Sequence, residues 1–221
     1  MLSDPMLTHR REDGRDTPLL VWRFDQPLRA VTSGPLGGGI GVRNWVVNAT
    51  VSMSYWRDDP DVHLAELADQ FDLRGPGVGL LTGVDVAEVV TRTDTGVRVW
   101  ATVGLGAPIW AAAEPLSPPV AERVGTVNIV AFVPVQLSDA ALVNAVATLT
   151  EAKAQAIWEL GLSATGTATD SVTVLCPPDG APAQYGGPRS QWGAPLARAG
   201  YQAVRDGGSV PCVPWSVRVE R

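Results

Sequence analysis

The order of elements in the sequence predicts an α+β fold, with layered mixed and antiparallel sheets flanked by helices. Strands and helices are interspersed without the strict alternation of a doubly wound parallel sheet. From Leu19 onward, short apolar runs are broken by turn residues, the pattern of strands and hairpins. Residues 126–133 (TVNIVAFV) are apolar almost throughout, as a central strand covered on both faces must be.

Residues 1–18 (MLSDPMLTHRREDGRDTP) are polar and mixed in charge and predict a disordered tail, followed by one domain over residues 19–221. Residues 19–24 and 28–32 read as two strands separated at Gln26-Pro27. Residues 34–41 (GPLGGGIG) form a glycine-rich loop before a long strand over 42–55. Asp59-Pro60 offers an N-cap and a proline at the first helical position, and Val62, Leu64, Leu67 and Phe71 continue as the apolar face of that helix. Strands follow over 78–81, 86–93 and 97–103, the last two joined by the hairpin signal Asp94-Thr95-Gly96. Residues 115–123, with three prolines, are a loop. Ser138 caps a helix running to Leu160 that stops at Gly161. A strand over 169–175 and a helix over 190–205 complete the domain.

With 17 basic residues against 23 acidic ones, the 221-residue chain carries a net charge of −6. That balance removes the attraction to phosphate backbones on which nucleic-acid binding depends. Residues 1–18 lack the apolar stretch of a secretory signal, and no run of about 18 apolar residues exists to span a membrane. A cytoplasmic protein is expected. Cys176 and Cys212 are too few for a disulfide framework and are expected to be free buried thiols. Of the 14 aromatic residues 8 are Trp, giving flat apolar surfaces with one donor each.

A wheel of residues 139–160 puts Leu142, Val146, Leu149, Ala156, Ile157 and Leu160 on one face. Lys153, the only lysine in the chain, falls in this apolar stripe, where it must snorkel to water or meet a carboxylate. Opposite it run Asn144, Thr148, Glu151 and Gln155, either a solvated face or the wall of a pocket.

The glycine-rich loop lacks the Lys-Ser/Thr pair of a P-loop and precedes a strand where a dinucleotide fingerprint would precede a helix. Asn44 and Asn48 share one strand face with Val46, and buried amides there could hydrogen-bond other amides or an oxyanion. Residues 166–171 (GTATDS) place the hydroxyls of Thr167, Thr169 and Ser171 beside the carboxylate of Asp170. With only His9 in the tail and His63 on a partly solvated helix, neither a Ser-His-Asp triad nor a zinc site is expected. Carboxylates, Lys153 and hydroxyls remain as the chemical equipment, as in enzymes where an amine activates a Ser or Thr.

The succession GGGIGVRNWVVNATVSMSYW (37–56), GLLTGVDV (79–86), ATVGLGAP (101–108), GTVNIV (125–130), ALVNAVATLTEAKAQAIWELG (141–161), ATGTATDSVTV (164–174) and YGGPRSQWG (185–193) resembles the adenosylcobinamide amidohydrolases. The resemblance implies hydrolysis of the amide joining the aminopropanol arm to the corrin of adenosylcobinamide, giving adenosylcobyric acid for corrinoid salvage and cobalamin biosynthesis. It implies a small-molecule corrinoid as partner; no cofactor and no metal-binding residues are expected, with homo-oligomer formation and any metal requirement left open. Asparagines suit the corrin's peripheral amides, tryptophans its ring, and an acidic protein its cationic charge. A corrinoid-binding protein of the same fold without hydrolytic activity is the alternative.

A second resemblance links residues 125–146 and the TGTATDS element to the L-aminopeptidase D-amidase/esterase group, whose fold is an α/β/β/α sandwich. It implies Thr126 as nucleophile, Gly125-Thr126 as a self-cleavage point, and Asn44 or Asn48 as oxyanion donor. The competing mechanism uses Glu151 or Asp170 as general base on a water, with Asn128 or Asn48 polarising the amide and Lys153 holding a buried carboxylate ionised. The substrate-binding set is then Asn44, Asn48, Asn128, Asn144, Thr167 and Ser171.

Overall fold

The computed structural model describes residues 2–12, 14–52, 55–114, 125–211 and 215. Its elements are β1 (Met6–Glu12), β2 (Arg15–Thr32), β3 (Gly39–Thr50), α1 (Pro60–Gln70), β4 (Gly77–Thr82), a 3-10 turn (Val86–Glu88), β5 (Val90–Asp94), β6 (Val97–Val103), β7 (Val127–Phe132), α2 (Asp139–Glu159), β8 (Ser171–Cys176) and α3 (Gly193–Gly208). The strands form one eight-stranded mixed sheet in the order β4-β3-β2-β8-β7-β6-β5, with β1 pairing β2 off this path. The β3/β4 and β7/β8 pairs are parallel and the others antiparallel. The α+β layering expected from the sequence is therefore present.

Side-chain alternation shows how the sheet folds over itself. On β3, Trp45, Val47 and Ala49 pack with Leu64, Leu67 and Ala68 of α1, while Val46 faces the other way, toward Leu20, Trp22, Trp100, Val130 and Phe132. On β7, Val127, Ile129 and Ala131 pack instead with Leu142, Leu149 and Ile157 of α2 and with Leu196 and Val204 of α3. The result is four layers: α1, two β layers, and α2 with α3. Trp22 and Trp100 meet edge to face, 5.9 Å apart, in the interior between the β layers.

Local chemistry accounts for the elements that were legible. Ser138 caps α2 by accepting from the Ala141 N–H at 3.2 Å. Thr95 and Gly96 turn the β5/β6 hairpin with positive φ of 49° and 83°. The two strands expected over 19–32 are one bent strand, with a register shift between Arg23 and Leu28, where Pro27 has no N–H to give a ladder. Residues 86–88 are a turn before β5 because the Asp85 side chain accepts from Ala87 N at 3.0 Å.

Three further expectations are corrected. Much of the expected disordered tail is β1 and the start of β2, paired from Met6↔Val21 to Glu12↔Arg15. Its charges are partnered rather than solvated: Arg10 is buried, pairs with Glu12 and donates to Thr50 O at 2.7 Å, and Asp4 accepts from Trp100 Nε1 at 2.9 Å. The buried face of α1 is His63, Leu64, Leu67 and Ala68, whereas Val62 is exposed. Thr148, expected on the polar stripe of α2, is buried and donates to Gly186 O at 2.8 Å. Cys176 is a buried free thiol, and burial pushes its pKa up. Cys212 and the proline-rich stretch 115–123 lie outside the described residues. Among the described residues no helix is long and apolar enough to cross a membrane.

Candidate active site

A cavity of about 380 Å³ opens where the last residues of β3 and β4 meet the first residues of β7 and β8. Its polar wall includes Thr82, Thr126, Asn128, Thr169, Ser171 and Tyr55. Thr126 stands immediately before β7, and its Oγ1 lies 2.6 Å from Thr169 Oγ1. Thr169 Oγ1 also donates to Gly125 O, at 3.4 Å. Either hydroxyl can be the donor of the Thr126–Thr169 pair, and both residues line the cavity. Ser171 Oγ is 3.1 Å from Ser33 Oγ.

Beneath these hydroxyls lies the partner of the only lysine. Lys153 crosses from α2 to pair with Asp170, and the two side chains are 8% and 10% exposed. Asp170 also accepts from Val127 N at 2.8 Å, Thr167 N at 3.0 Å and Thr167 Oγ1 at 2.5 Å. Two donors thus meet each carboxylate oxygen, and the group is fully occupied. It braces the backbone next to Thr126, and Thr167 acts by holding it. Gly166 completes the fit, since a Cβ there would strike both Asp170 Oδ2 and Lys153 Nζ. Gly166→Ala is expected to cost about 1–3 kcal/mol by overpacking, read as a lower Tm and reduced activity in the same variant.

The inner faces of the β layers carry an amide chain. Asn128 Nδ2 donates to Asn48 Oδ1 and to Leu81 O, both at 2.9 Å, and Asn48 Nδ2 donates to Thr102 Oγ1 at 3.0 Å. A carbonyl can only accept, so Leu81 fixes which end of the Asn128 amide is nitrogen. Both Asn128 protons are then used, so Oδ1 is the part of this amide that remains to meet a ligand in the cavity the residue lines. Asn128 therefore presents an acceptor, not the donor expected for polarising an amide. Asn48 is as buried as Asn128 and does not line the cavity; it reaches it through Asn128.

The structure thus brings together Thr126, Lys153, Asp170, Asn48, Asn128, Thr167 and Ser171. Three other expected residues stand apart. Glu151 is exposed on α2, because two residues turn a helix by about 200° and Lys153 already faces inward. Asn144 is also exposed on α2, beside Gly187. Asn44 sits next to Gly75, four residues or about 13 Å back along β3 from Asn48. Sequence reasoning did not single out Thr169 or Tyr55 for the site, although both lie within matched segments. It placed His63 on a partly solvated face, whereas His63 is 5% exposed. Among the described residues no three His, Cys, Asp or Glu side chains gather as a metal-ligand group.

Fold and cavity define a layered α+β protein whose cavity wall carries hydroxyls next to a buried ion pair. The family described as adenosylcobinamide amidohydrolase (CbiZ) matches residues 4–210, and the chain belongs to that family. The adenosylcobinamide amidohydrolase of Methanosarcina mazei is 26% identical over 189 residues, covering 81% of this chain and 90% of that protein. Its counterpart from Halobacterium salinarum is 40% identical over 133 residues, 57% of this chain and 56% of that one. Among solved structures, the PH0078 protein from Pyrococcus horikoshii OT3 matches with a TM-score of 0.45 at 10% identity, over 93% of this chain and 83% of that one.

Proposed function

We propose that this chain hydrolyses the amide between the aminopropanol arm and the corrin of adenosylcobinamide, with that amide held in the cavity between the β layers. The observation that carries the reading is Thr126, whose hydroxyl is paired with Thr169 on a backbone braced by Asp170 and Lys153. Thr126 Oγ attacks the amide carbonyl, and the C–N bond breaks to release aminopropanol and leave an ester on Thr126. Water then cleaves the ester to give adenosylcobyric acid. Asn128 Oδ1 accepts from the amide N–H, and the Ser171 hydroxyl donates to the developing oxyanion.

A cavity of about 380 Å³ admits the arm and leaves the macrocycle at the mouth. There a neighbouring groove of about 440 Å³ shares Tyr55 and Arg57 with the cavity and adds Trp56, a residue 87% exposed whose ring can lie against a flat ligand. Incubating the purified protein with adenosylcobinamide and following products by mass spectrometry tests the reading. Adenosylcobyric acid and aminopropanol in equal amounts are expected; tight binding without product contradicts hydrolysis.

A further inference from the structure

The hydrolytic site lacks a free base among the residues considered so far. Asp170 has no acceptor capacity left, and Glu151 is exposed on α2 outside the cavity wall. The cavity wall nevertheless carries Tyr55, a titratable group with an internal connection. Tyr55 Oη lies 3.1 Å from His63 Nδ1, and the two rings stack at 5.6 Å. On its other side, His63 Nε2 faces Glu12 Oε1 at 3.5 Å. Glu12 is itself held by the buried Arg10.

We infer that Tyr55, His63 and Glu12 form a proton relay serving the hydrolytic cavity, with Tyr55 as the catalytic acid–base and His63 and Glu12 as the positioning residues behind it. The inference rests on amide hydrolysis at this cavity. The Glu12 carboxylate favours the tautomer with hydrogen on Nε2, leaving Nδ1 to accept from the Tyr55 hydroxyl. When Thr126 attacks, its proton passes to Tyr55 Oη while the phenolic proton moves to His63 Nδ1. The imidazolium formed is stabilised by Glu12. The proton returns by the same route to the amide nitrogen as the C–N bond breaks. A second passage, starting from water, cleaves the Thr126 ester and restores the hydroxyl, so one water is consumed and the relay ends as it began.

The surroundings suit a neutral resting histidine. Around His63 stand Glu12 and Arg10 from β1, Arg57 and Tyr55 from the segment before α1, and Glu66 on α1 itself. Burial is the largest influence and lowers its pKa below the usual 6.5, outweighing Glu12. Tyr55 is shifted upward, chiefly by burial, with Arg57, Asp59, Glu12 and Glu66 as its charged neighbours. Because the base form of His63 is needed, the rate should fall as pH drops through its lowered pKa, an acid limb below 6.5.

Tyr55→Phe removes one oxygen and leaves the ring stacked on His63, so the Tm should hold. Its kcat on adenosylcobinamide should fall by about 10²- to 10⁴-fold with KM little changed. His63→Gln should abolish the acid limb, and Glu12→Gln should move it to lower pH because the imidazolium loses its counter-charge. Tyr55→Phe with wild-type kcat, or His63→Gln with the acid limb intact, overturns the relay while leaving hydrolysis standing. A wild-type protein that turns over no adenosylcobinamide overturns the hydrolase reading and the relay together.

Discussion

Thr126→Ala is expected to reduce adenosylcobinamide hydrolysis by about 10⁴-fold or more, the scale of loss when a covalent nucleophile is removed. The change deletes a hydroxyl that, among the described residues, is paired with Thr169 and leaves the Val127–Asp170 bond untouched. Its effect on folding should be confined to a small cavity, about 1 kcal/mol. Thr126→Ser keeps the attacking oxygen and should retain much of the rate. This contrast separates chemistry from packing, since both variants lose the Thr methyl and only one loses the hydroxyl. Rates measured under single turnover, with thermal melts of each variant, provide the check. An alanine variant within about tenfold of wild type would remove Thr126 from the mechanism.

Lys153→Met should produce the largest loss of stability. It leaves the Asp170 carboxylate buried with its cation gone, and breaking one partner of a buried pair costs about 3–5 kcal/mol. For a domain of this size 1 kcal/mol moves Tm by about 2–4 °C, so a fall of about 6–20 °C is expected. Asp170→Asn in the same chain should restore part of the loss, because an amide needs no counter-charge. The double-mutant cycle then isolates the pair. Activity should fall as well, since Asp170 holds the backbone of Val127 next to Thr126. A Tm change under about 2 °C would mean that Lys153 reaches water and that its contact with Asp170 contributes little.

How much of this was legible in the sequence follows from how local each signal is. The capped helix α2, the apolar strand β7 and the β5/β6 hairpin are specified within a few residues of themselves, and each was readable. So was the anomaly of Lys153, because an apolar stripe with one charge in it demands a partner. Strand β1 was not legible. Its polar residues look solvated until β2 supplies a ladder and Thr50 O a partner for Arg10. That omission carried a second one with it, since Glu12 on β1 is what faces His63, and without β1 the histidine reads as a surface residue. In the site, residues joined through TGTATDS and the central strand converge. Glu151 and Asn144 were drawn in by neighbouring motifs, although helix geometry turns them outward. The acceptor role of Asn128 depends on Leu81 O, 47 residues away, a contact no local pattern encodes.

The most direct test is a crystal structure of the Thr126→Ala protein with adenosylcobinamide bound. The aminopropanol amide should lie in the cavity, its carbonyl carbon about 3–3.5 Å from where the Thr126 oxygen would stand, with its N–H directed to Asn128 Oδ1 and the corrin outside the mouth. An amide found instead on the exposed face of α2 near Glu151, with the cavity between the β layers unoccupied, would contradict the account.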